Sequence, residues 1–195
     1  MKTLLLVTLA LLAIALTPAI QAQAGGAAYY GLSLGQLDYV DEDFGPRFED
    51  SADSWRLMVT YMFIEHLGVE GSYGESSTIR DTVTLTQQFP PASFEAGFES
   101  EISKMLTVRL LGALPFENGL SLLAGVGYVD FEQNVTLSQD GVPFISGEFN
   151  DSRPAYYFGV QYDWDRIALR LGYEKLDFDG EVDADETSIT FFYKL

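Results

Sequence analysis

The clearest pattern in the chain is the stretch RIALRLGYEKLDF near its C-terminus, where large apolar side chains alternate with small or charged ones. Successive side chains of a β-strand point to opposite faces. Ile167, Leu169 and Leu171 therefore share one face of a predicted strand, and Arg170 and Glu174 share the other. The pattern predicts a strand with two chemically different environments.

Similar segments of about ten residues recur along the chain, separated by residues typical of turns and loops. No 20–50-residue repeat and no second domain is evident. We predict eight strands, at Ala27–Leu37, Ser54–Phe63, Leu67–Glu75, Glu101–Leu114, Leu120–Phe131, Arg153–Trp164, Arg166–Phe178 and Glu186–Leu195.

The connections between these strands alternate between long and short. The long ones are centred on residues 38–53, 76–100, 132–152 and 179–185, and the short ones lie near residues 64–66, 115–119 and 163–165. Bacterial outer-membrane barrels have an even number of strands, long extracellular loops and short periplasmic turns. The pattern predicts an all-β fold, an eight-stranded antiparallel up-and-down transmembrane β-barrel in which the last strand pairs with the first.

The two faces of the predicted strands differ in side-chain size. One face is bulky, as in Trp55, Leu57, Val59, Tyr61 and Phe63, or in Tyr156, Phe158, Val160, Tyr162 and Trp164. The other face is small or polar, as in Gly31, Ser33, Gly35, Gly68, Glu70, Ser72 and Gly74. An eight-stranded barrel leaves room inside only for side chains, so we expect the bulky face to contact lipid.

Aromatic residues of the bulky face fall at two heights. Tyr and Trp prefer the membrane–water interface, because an apolar ring meets lipid while a polar tip meets headgroups. We predict an outer girdle of Trp55, Tyr73, Tyr128, Tyr156 and Tyr173, and an inner girdle that includes Trp164 and Tyr193 together with Tyr30, Phe63 and Phe116.

Charged residues of both signs are predicted to point into the lumen. They are Arg56, Glu70, Arg109, Arg170 and Glu174. An unpaired charge in a packed lumen costs several kcal/mol, so these residues should pair with one another. The cluster has two interpretations, a static polar plug or a gate whose ion pairs rearrange. Either way an open pore is not expected from eight strands.

The N-terminus has the layout of a secretory signal peptide: a basic start, an apolar run and the small-x-small site Ala22-Gln23-Ala24. We therefore assign residues 1–24 to a cleaved signal and 25–195 to the barrel domain. The chain has no Cys, which excludes disulfides and thiolate metal sites. Its net charge of −18 makes nucleic acid an improbable partner.

Catalytic and metal-binding signals are weak. The chain has one histidine, His66, in a predicted periplasmic turn, and no G-x-S-x-G motif, so we expect no enzymatic activity. The acidic stretch DFDGEVDADE lacks the spacing of an EF-hand, and a solvated loop is favoured over a Ca²⁺ site. We predict no cofactor and no specific metal site.

The segments YYGLSLGQL, VEGSYGE, PAYYFGVQYDW, RIALRLGYEKLDF and the terminal TSITFFYKL resemble the OmpA/OmpX-like family of eight-stranded outer-membrane barrels over the whole mature chain. The resemblance implies that the protein lies in the outer membrane of a Gram-negative cell. It also implies that the barrel-assembly machinery recognises the C-terminal strand. Such strands usually end in an aromatic residue, whereas this one ends in Leu195. The family often carries an interior ion-pair cluster, to which Glu70, Arg109, Arg170 and Glu174 would correspond.

Three functions remain open from the sequence. The first is a monomeric structural or surface-interaction barrel, in contact with outer-membrane lipid and lipopolysaccharide. The second is a narrow gated channel or small-solute transporter. The third is a soluble periplasmic ligand-binding barrel with its faces inverted.

Overall fold

The computed structural model describes residues 26–41, 48–88, 91–178 and 182–195. Over these ranges it contains nine β-strands: β1 (Ala27–Asp41), β2 (Phe48–Ile64), β3 (Leu67–Ser76), β4 (Ile79–Gln88), β5 (Pro91–Pro115), β6 (Leu120–Gln139), β7 (Val142–Trp164), β8 (Ile167–Phe178) and β9 (Val182–Lys194). The predicted signal segment, residues 1–24, lies outside the described residues. Within the described part of the chain, no helix has the length and apolarity that a bilayer crossing needs.

The strands form a closed antiparallel barrel. β1 pairs with β9, with Tyr30 opposite Tyr193, as predicted for the first and last strands. β3 pairs with β5, with Glu70 opposite Arg109, and this pairing closes the ring. Eight strands make the ring, while β4 continues the line of β3 beside the outer part of β5. The predicted eight-stranded up-and-down barrel is confirmed.

Short turns join the strands at one end of the barrel. Glu65-His66 joins β2 to β3, and the turn before β6 ends at Gly119. Gly119 has φ of 84°, a conformation that favours glycine, and its amide bonds to the Phe116 carbonyl at 3.2 Å. The β7–β8 turn contains Asp165 with φ of 45°. Both ends of the described chain lie at this end, which we therefore call the inner end.

At the outer end the strands continue where long loops were predicted. β4, β5, β6 and β7 extend the sheet well past the predicted boundaries, and β6 turns into β7 through Asp140-Gly141, both with positive φ. Two such residues are typical of a tight hairpin turn. The connections at residues 76–100 and 132–152 are long, as predicted, but most of each is β-strand and not irregular loop. Outside the membrane no strand face has to meet lipid, so the long alternation of large apolar side chains that marks strands in lipid is not required there.

The outer parts of four strands form what we call the projecting sheet: residues 79–88 of β4, 91–104 of β5, 129–139 of β6 and 142–154 of β7. β5 has 25 residues and β7 has 23. A tilted strand needs only about 9–11 residues to cross the bilayer core. More than half of each of these two strands therefore lies beyond it.

The bulky face points outward, as predicted. Phe158 is 60% exposed and Trp55 is 37% exposed, whereas Ser33, Ala168 and Thr190 on the opposite face are buried. A soluble carrier would bury the bulky face, so that alternative is wrong. In lipid these exposed apolar side chains would be covered by acyl chains.

The two faces exchange polarity near the outer end of the barrel. Leu37 is buried in the lumen while Asp38 beside it is exposed, and Leu176 is buried while Lys175 is exposed. The exterior there faces headgroups and water, so polar side chains turn outward and apolar ones inward. This inversion marks where the wall leaves the hydrocarbon region.

Candidate functional site: the charged lumen network

Six charged side chains meet in the middle of the lumen. They are Arg56 (β2), Glu70 (β3), Arg109 (β5), Arg170 and Glu174 (β8), and Glu186 (β9). The structure thus places all five predicted lumen charges in one network. Each lies on the inward face of its strand by the two-residue alternation and is at most 3% exposed. Three arginines face three glutamates, so the network is electrically neutral.

Arginines and glutamates alternate along the network. Arg109 bridges two acids, with Nε 3.1 Å from Glu70 Oε1 and Nη1 3.0 Å from Glu174 Oε1. Arg56 bridges Glu174 and Glu186, and Glu70 also pairs with Arg170. The order is therefore Glu186, Arg56, Glu174, Arg109, Glu70, Arg170. Charges this deeply buried are tolerated only when paired in this way.

Glu186 was not recognised from the sequence as a lumen residue. It closes the acidic stretch DFDGEVDADE, which suggested a solvated loop. Its position in β9 shares the parity of Ser188 and Thr190, whose small polar side chains are typical of the predicted lumen face. That parity is the signal that could have identified it.

Neutral side chains complete the two ends of the network. Ser54 donates to Glu186 Oε1 at 2.6 Å, and Thr60 donates to Glu70. Arg170 Nε donates to Gln161 Oε1 at 2.9 Å. These bonds satisfy polar atoms that the ion pairs leave over and fix the rotamers of the charged groups.

Two arginines also lie over aromatic rings. The guanidinium carbon of Arg109 is 4.3 Å from the centroid of Tyr157, and that of Arg170 is 4.3 Å from the centroid of Phe192. Cation–π attraction of this kind is stronger away from water. Both rings project into the lumen and fill the space beside the network, where they hold the arginine planes in place.

The lumen on the outer side of the network is apolar. A layer of buried side chains closes it, formed by Leu37, Ile102, Met105, Val129, Phe131, Ala155, Leu176 and Ala184. Within the network a void of about 10 Å³ remains, room for about one water. The sequence had suggested a lumen of small and polar residues throughout, and this apolar layer is a correction to it.

On the inner side the lumen opens into a cup of about 330 Å³. Thr60, Gln161 and Arg170 lie at its closed end, and Lys194 and Phe116 lie among its lining residues. The lumen therefore has three zones from the inner end outward: an open cup, the charged network and the apolar layer. An ion crossing it would have to break the ion pairs and then enter a dry zone.

The predicted girdle residues on the strands face outward, whereas Phe116 lies in the turn between β5 and β6 and lines the inner cup. Trp55 and Tyr73 contact edge to face, with centroids 6.5 Å apart, and Trp164 packs on Tyr162 at 4.6 Å. The other members are likewise exposed, namely Tyr128, Tyr156, Tyr173 and Tyr193. Their role at the lipid interface remains a prediction.

His66 lies in the exposed β2–β3 turn at the inner end. Its Nδ1 is 3.3 Å from the carbonyl oxygen of Ala113, and its Nε2 is 4.0 Å from Glu65. In the described ranges no group of three His, Cys, Asp or Glu residues is placed to hold a metal ion. The acidic stretch considered for Ca²⁺ includes residues 179–181, which lie outside the described residues.

The closed barrel agrees with a comparison against protein families. The model of the outer membrane protein beta-barrel domain matches residues 6–194. The chain belongs to this family. Membership places this barrel in the outer membrane. No curated protein sequence matches the chain.

Several solved structures share the fold. Neisserial surface protein A has a TM-score of 0.58 at 12% identity, over 87% of this chain and 99% of its own. Ail, the attachment invasion locus protein of Yersinia pestis, has a TM-score of 0.57 at 16% identity, with the same coverage of both chains. OprG from Pseudomonas aeruginosa has 0.52 at 15% identity, over 88% and 96%. These likenesses concern the fold.

Proposed function

We propose that this outer-membrane barrel has a surface-interaction role, in which the closed barrel anchors the projecting sheet outside the cell. The observation that carries the proposal is the length of the strands. β5 and β7 have 25 and 23 residues, more than twice the ~9–11 that a crossing needs. A chain that served only to fill the membrane would have no use for this excess.

The lumen supports a closed barrel. The charged network spans the centre, with Arg109 in contact with both Glu70 and Glu174. The apolar layer follows directly, with Met105 and Leu176 fully buried. These two successive barriers of opposite chemistry oppose the passage of ions, so we assign no open pore.

The partner class should differ from that of Ail, which was crystallised in complex with the heparin analogue sucrose octasulfate. The present chain carries a net charge of −18. A polyanion would be repelled by such a surface at ordinary ionic strength. We therefore expect recognition of polypeptide surfaces in preference to sulfated glycans.

The test is to remove most of the projecting sheet and keep the barrel. Between β4 and β5, an Asn-Gly turn would join Asp81 directly to its paired residue, Phe98. Between β6 and β7, a second Asn-Gly turn would join Gln133 directly to its paired residue, Phe149. The shortened protein should still shift on gels after heating, as folded barrels do. Cells displaying it should lose binding to arrays of extracellular proteins. Binding equal to that of the full chain would contradict the proposal.

A second candidate, a narrow gated channel, draws support from the cup of about 330 Å³ at the inner end. The cup reaches Arg170, whose ion pair with Glu70 would be the first to rearrange. Planar-bilayer recording of refolded protein tests it. Discrete, reproducible current steps would favour the channel, and flat traces would remove it.

Other parts of the proposal follow from the same surfaces. The wall would contact outer-membrane lipid and lipopolysaccharide, and the barrel-assembly machinery would insert the chain during biogenesis. We further propose that the protein is a monomer and uses no cofactor. We also propose no enzymatic activity, because the one histidine, His66, lies in an exposed turn.

A further inference from the structure

The cup at the inner end of the lumen has room for one small organic molecule. Its volume is about 330 Å³, near the lower limit of the ~300–1,000 Å³ that is usual for ligand pockets. Its closed end belongs to the charged network, where Arg170 donates to Gln161 and pairs with Glu70. A molecule that enters the cup from the inner side therefore meets a dead end.

One half of the cup wall is apolar. Leu111 and Leu123 form a buried cluster there, and Met62 and Ala113 pack against this cluster while part of their surface stays open. Phe116, in the turn between β5 and β6, adds an aromatic ring that is 45% exposed. This half of the wall can cover the hydrocarbon part of a ligand and remove it from water.

The other half of the wall contains a carboxylate with an unused oxygen. Asp163 of β7 lines the cup, and its Oδ2 accepts a hydrogen bond from Gln161 Nε2 at 3.0 Å. Its Oδ1 is buried and has no hydrogen-bond partner among the described residues, although Tyr29 lies beside the carboxylate. Most buried polar atoms have at least one such partner. Oδ1 is therefore available to a donor group on a ligand.

An ammonium group without an ion-pair partner lines the same half. Lys194 of β9 places its Nζ 5.7 Å from the ring centroid of Tyr29. Within the part of the chain that the structure describes, no carboxylate lies within ion-pair distance of this ammonium. Asp163 and Lys194 thus share the cup without pairing with each other.

The remaining charged residues of the cup are already neutralised or screened. Arg170 pairs with Glu70. The side chain of Glu65 is 73% exposed in the β2–β3 turn, where solvent screens its charge. Asp163 and Lys194 are therefore the two charges that a bound molecule can neutralise. A single molecule that pairs with both must carry an ammonium and a carboxylate of its own.

We propose that the cup binds a small zwitterion with an apolar body, of the chemical class of a free apolar amino acid. The ligand's ammonium donates to Asp163, its carboxylate accepts from Lys194, and its hydrocarbon side chain packs against Met62 and Phe116. Charge-assisted hydrogen bonds are stronger than neutral ones, so the two charges set the orientation of the ligand. The site lies at the opposite end of the barrel from the projecting sheet and is independent of the proposed surface role.

The test uses the full barrel in a non-ionic detergent, which leaves both ends open to solution and adds no charge. Binding is measured by isothermal titration with three probes of one hydrocarbon skeleton. Leucine carries both charges, isocaproate lacks the ammonium, and isoamylamine lacks the carboxylate. The proposal expects leucine to bind, and each analogue to bind roughly tenfold more weakly or worse, because each loses one charge-assisted contact.

Two variants assign the charges to their partners. Asp163→Asn should weaken leucine binding roughly tenfold and should not weaken isocaproate binding, since isocaproate has no ammonium for Asp163. Lys194→Gln should weaken leucine binding by a similar factor and should not weaken isoamylamine binding. This crossed pattern is one that a general loss of structure would not produce.

The matched controls are Glu117→Gln and Arg166→Gln. They remove the same charges from exposed inner turns, and neither residue lines the cup. Both controls should bind leucine as the unaltered protein does. A gel shift after heating shows that each variant is folded.

Three results would overturn the inference. The first is equal binding of the three probes to the unaltered protein, which would show adsorption of hydrocarbon alone. The second is an equal loss of leucine binding from Asp163→Asn and Glu117→Gln, which would show an unspecific effect of charge. The third is no binding of leucine at all. The comparison of probes on the unaltered protein decides the question even if a variant fails to fold.

Discussion

Glu174 of β8 lies directly opposite Glu186 of β9 in the barrel wall, and both carboxylates pair with the same guanidinium, that of Arg56. Like charges directly opposite on a sheet normally repel. Here Arg56 of β2 pairs with both carboxylates and offsets their repulsion. The network that crosses the lumen begins at this pair. Arg56 thus ties β2 to β8 and β9, two consecutive strands that lie far along the chain from it.

Replacing Arg56 with Met should therefore destabilise the barrel strongly. The change leaves Glu186 with no ion-pair partner and Glu174 with only Arg109, at a cost of about 3–5 kcal/mol in the free energy of unfolding. Urea unfolding of protein refolded in lipid vesicles measures it. The matched control is Arg80→Met, which removes the exposed ion pair with Glu99 and should cost less than about 1 kcal/mol. Equal effects from the two changes would contradict the buried network.

Substitution by arginine should destabilise the protein on the lipid-facing wall and have almost no effect on the projecting sheet. Val59→Arg places a charge near mid-membrane on the lipid face and should cost ~2–4 kcal/mol. Val142→Arg lies on exposed sheet beyond the membrane, where the cost should be near zero. Leu169→Arg, also near mid-membrane, should match Val59→Arg. Unfolding in vesicles compares all three, and a tolerated Leu169→Arg would argue against contact with lipid.

Substitutions that add volume to the lumen face should destabilise the barrel through overpacking. Ser33 is buried, accepts a hydrogen bond from Thr190 at 2.8 Å and lies opposite Arg56. Ser33→Arg adds bulk and a like charge beside Arg56, and should cost more than the ~1–3 kcal/mol typical of overpacking. Ser33→Ala loses one hydrogen bond and should cost about 1 kcal/mol. If the arginine variant were as stable as the alanine variant, the lumen would have to be roomier than described.

Loosening the charged network should not by itself open the barrel. Glu70→Gln weakens the contacts with Arg109 and Arg170. The apolar layer, with Met105 and Leu176 at its centre, remains dry and blocks ions. Planar-bilayer recordings of Glu70→Gln should therefore be flat. Sustained current steps from this variant would show that the network alone closes the lumen.

A single strand should show two levels of local stability. Residues 105–112 of β5 pair with β3 inside the ring, and residues 91–100 pair with β4 in the projecting sheet. The backbone of the outer part lies in the projecting sheet, away from the ring, so we expect local opening there to need less free energy. Hydrogen exchange in vesicles should be faster at residues 91–100. Equal protection along the whole of β5 would contradict this difference.

The sequence predicted the membrane-spanning part of the fold well because lipid imposes a strict alternation there. The inner limits of the strands at Leu67, Leu120 and Trp164 agree with the structure. It did not predict β4 or the outer extensions of β6 and β7. Those segments lie outside the membrane, where no large apolar face is required. Their alternations, as in Val83-Thr84-Leu85 and Val135-Thr136-Leu137, are too short to distinguish a strand from a loop.

The same strict alternation also predicted part of the lumen. Five charged residues were assigned to it because they stand on the small-residue face of the strands. Leu37 and Leu176 were missed as lumen residues because the faces exchange polarity at the outer rim, where the exterior is no longer lipid. Which arginine would bridge Glu174 and Glu186 depends on barrel closure, and no local pattern contains that information.

The central claim is that the bulky face of the barrel meets acyl chains while the charged network lies inside. The most direct measurement places one tryptophan on that face, as Leu171→Trp with Trp55→Phe and Trp164→Phe, and follows its fluorescence in vesicles of lipid brominated along the acyl chain. Leu171 is exposed on the wall beside Arg170, which is buried. We predict strong quenching by the brominated lipid and little by aqueous acrylamide. A tryptophan shielded from bromine would contradict the account.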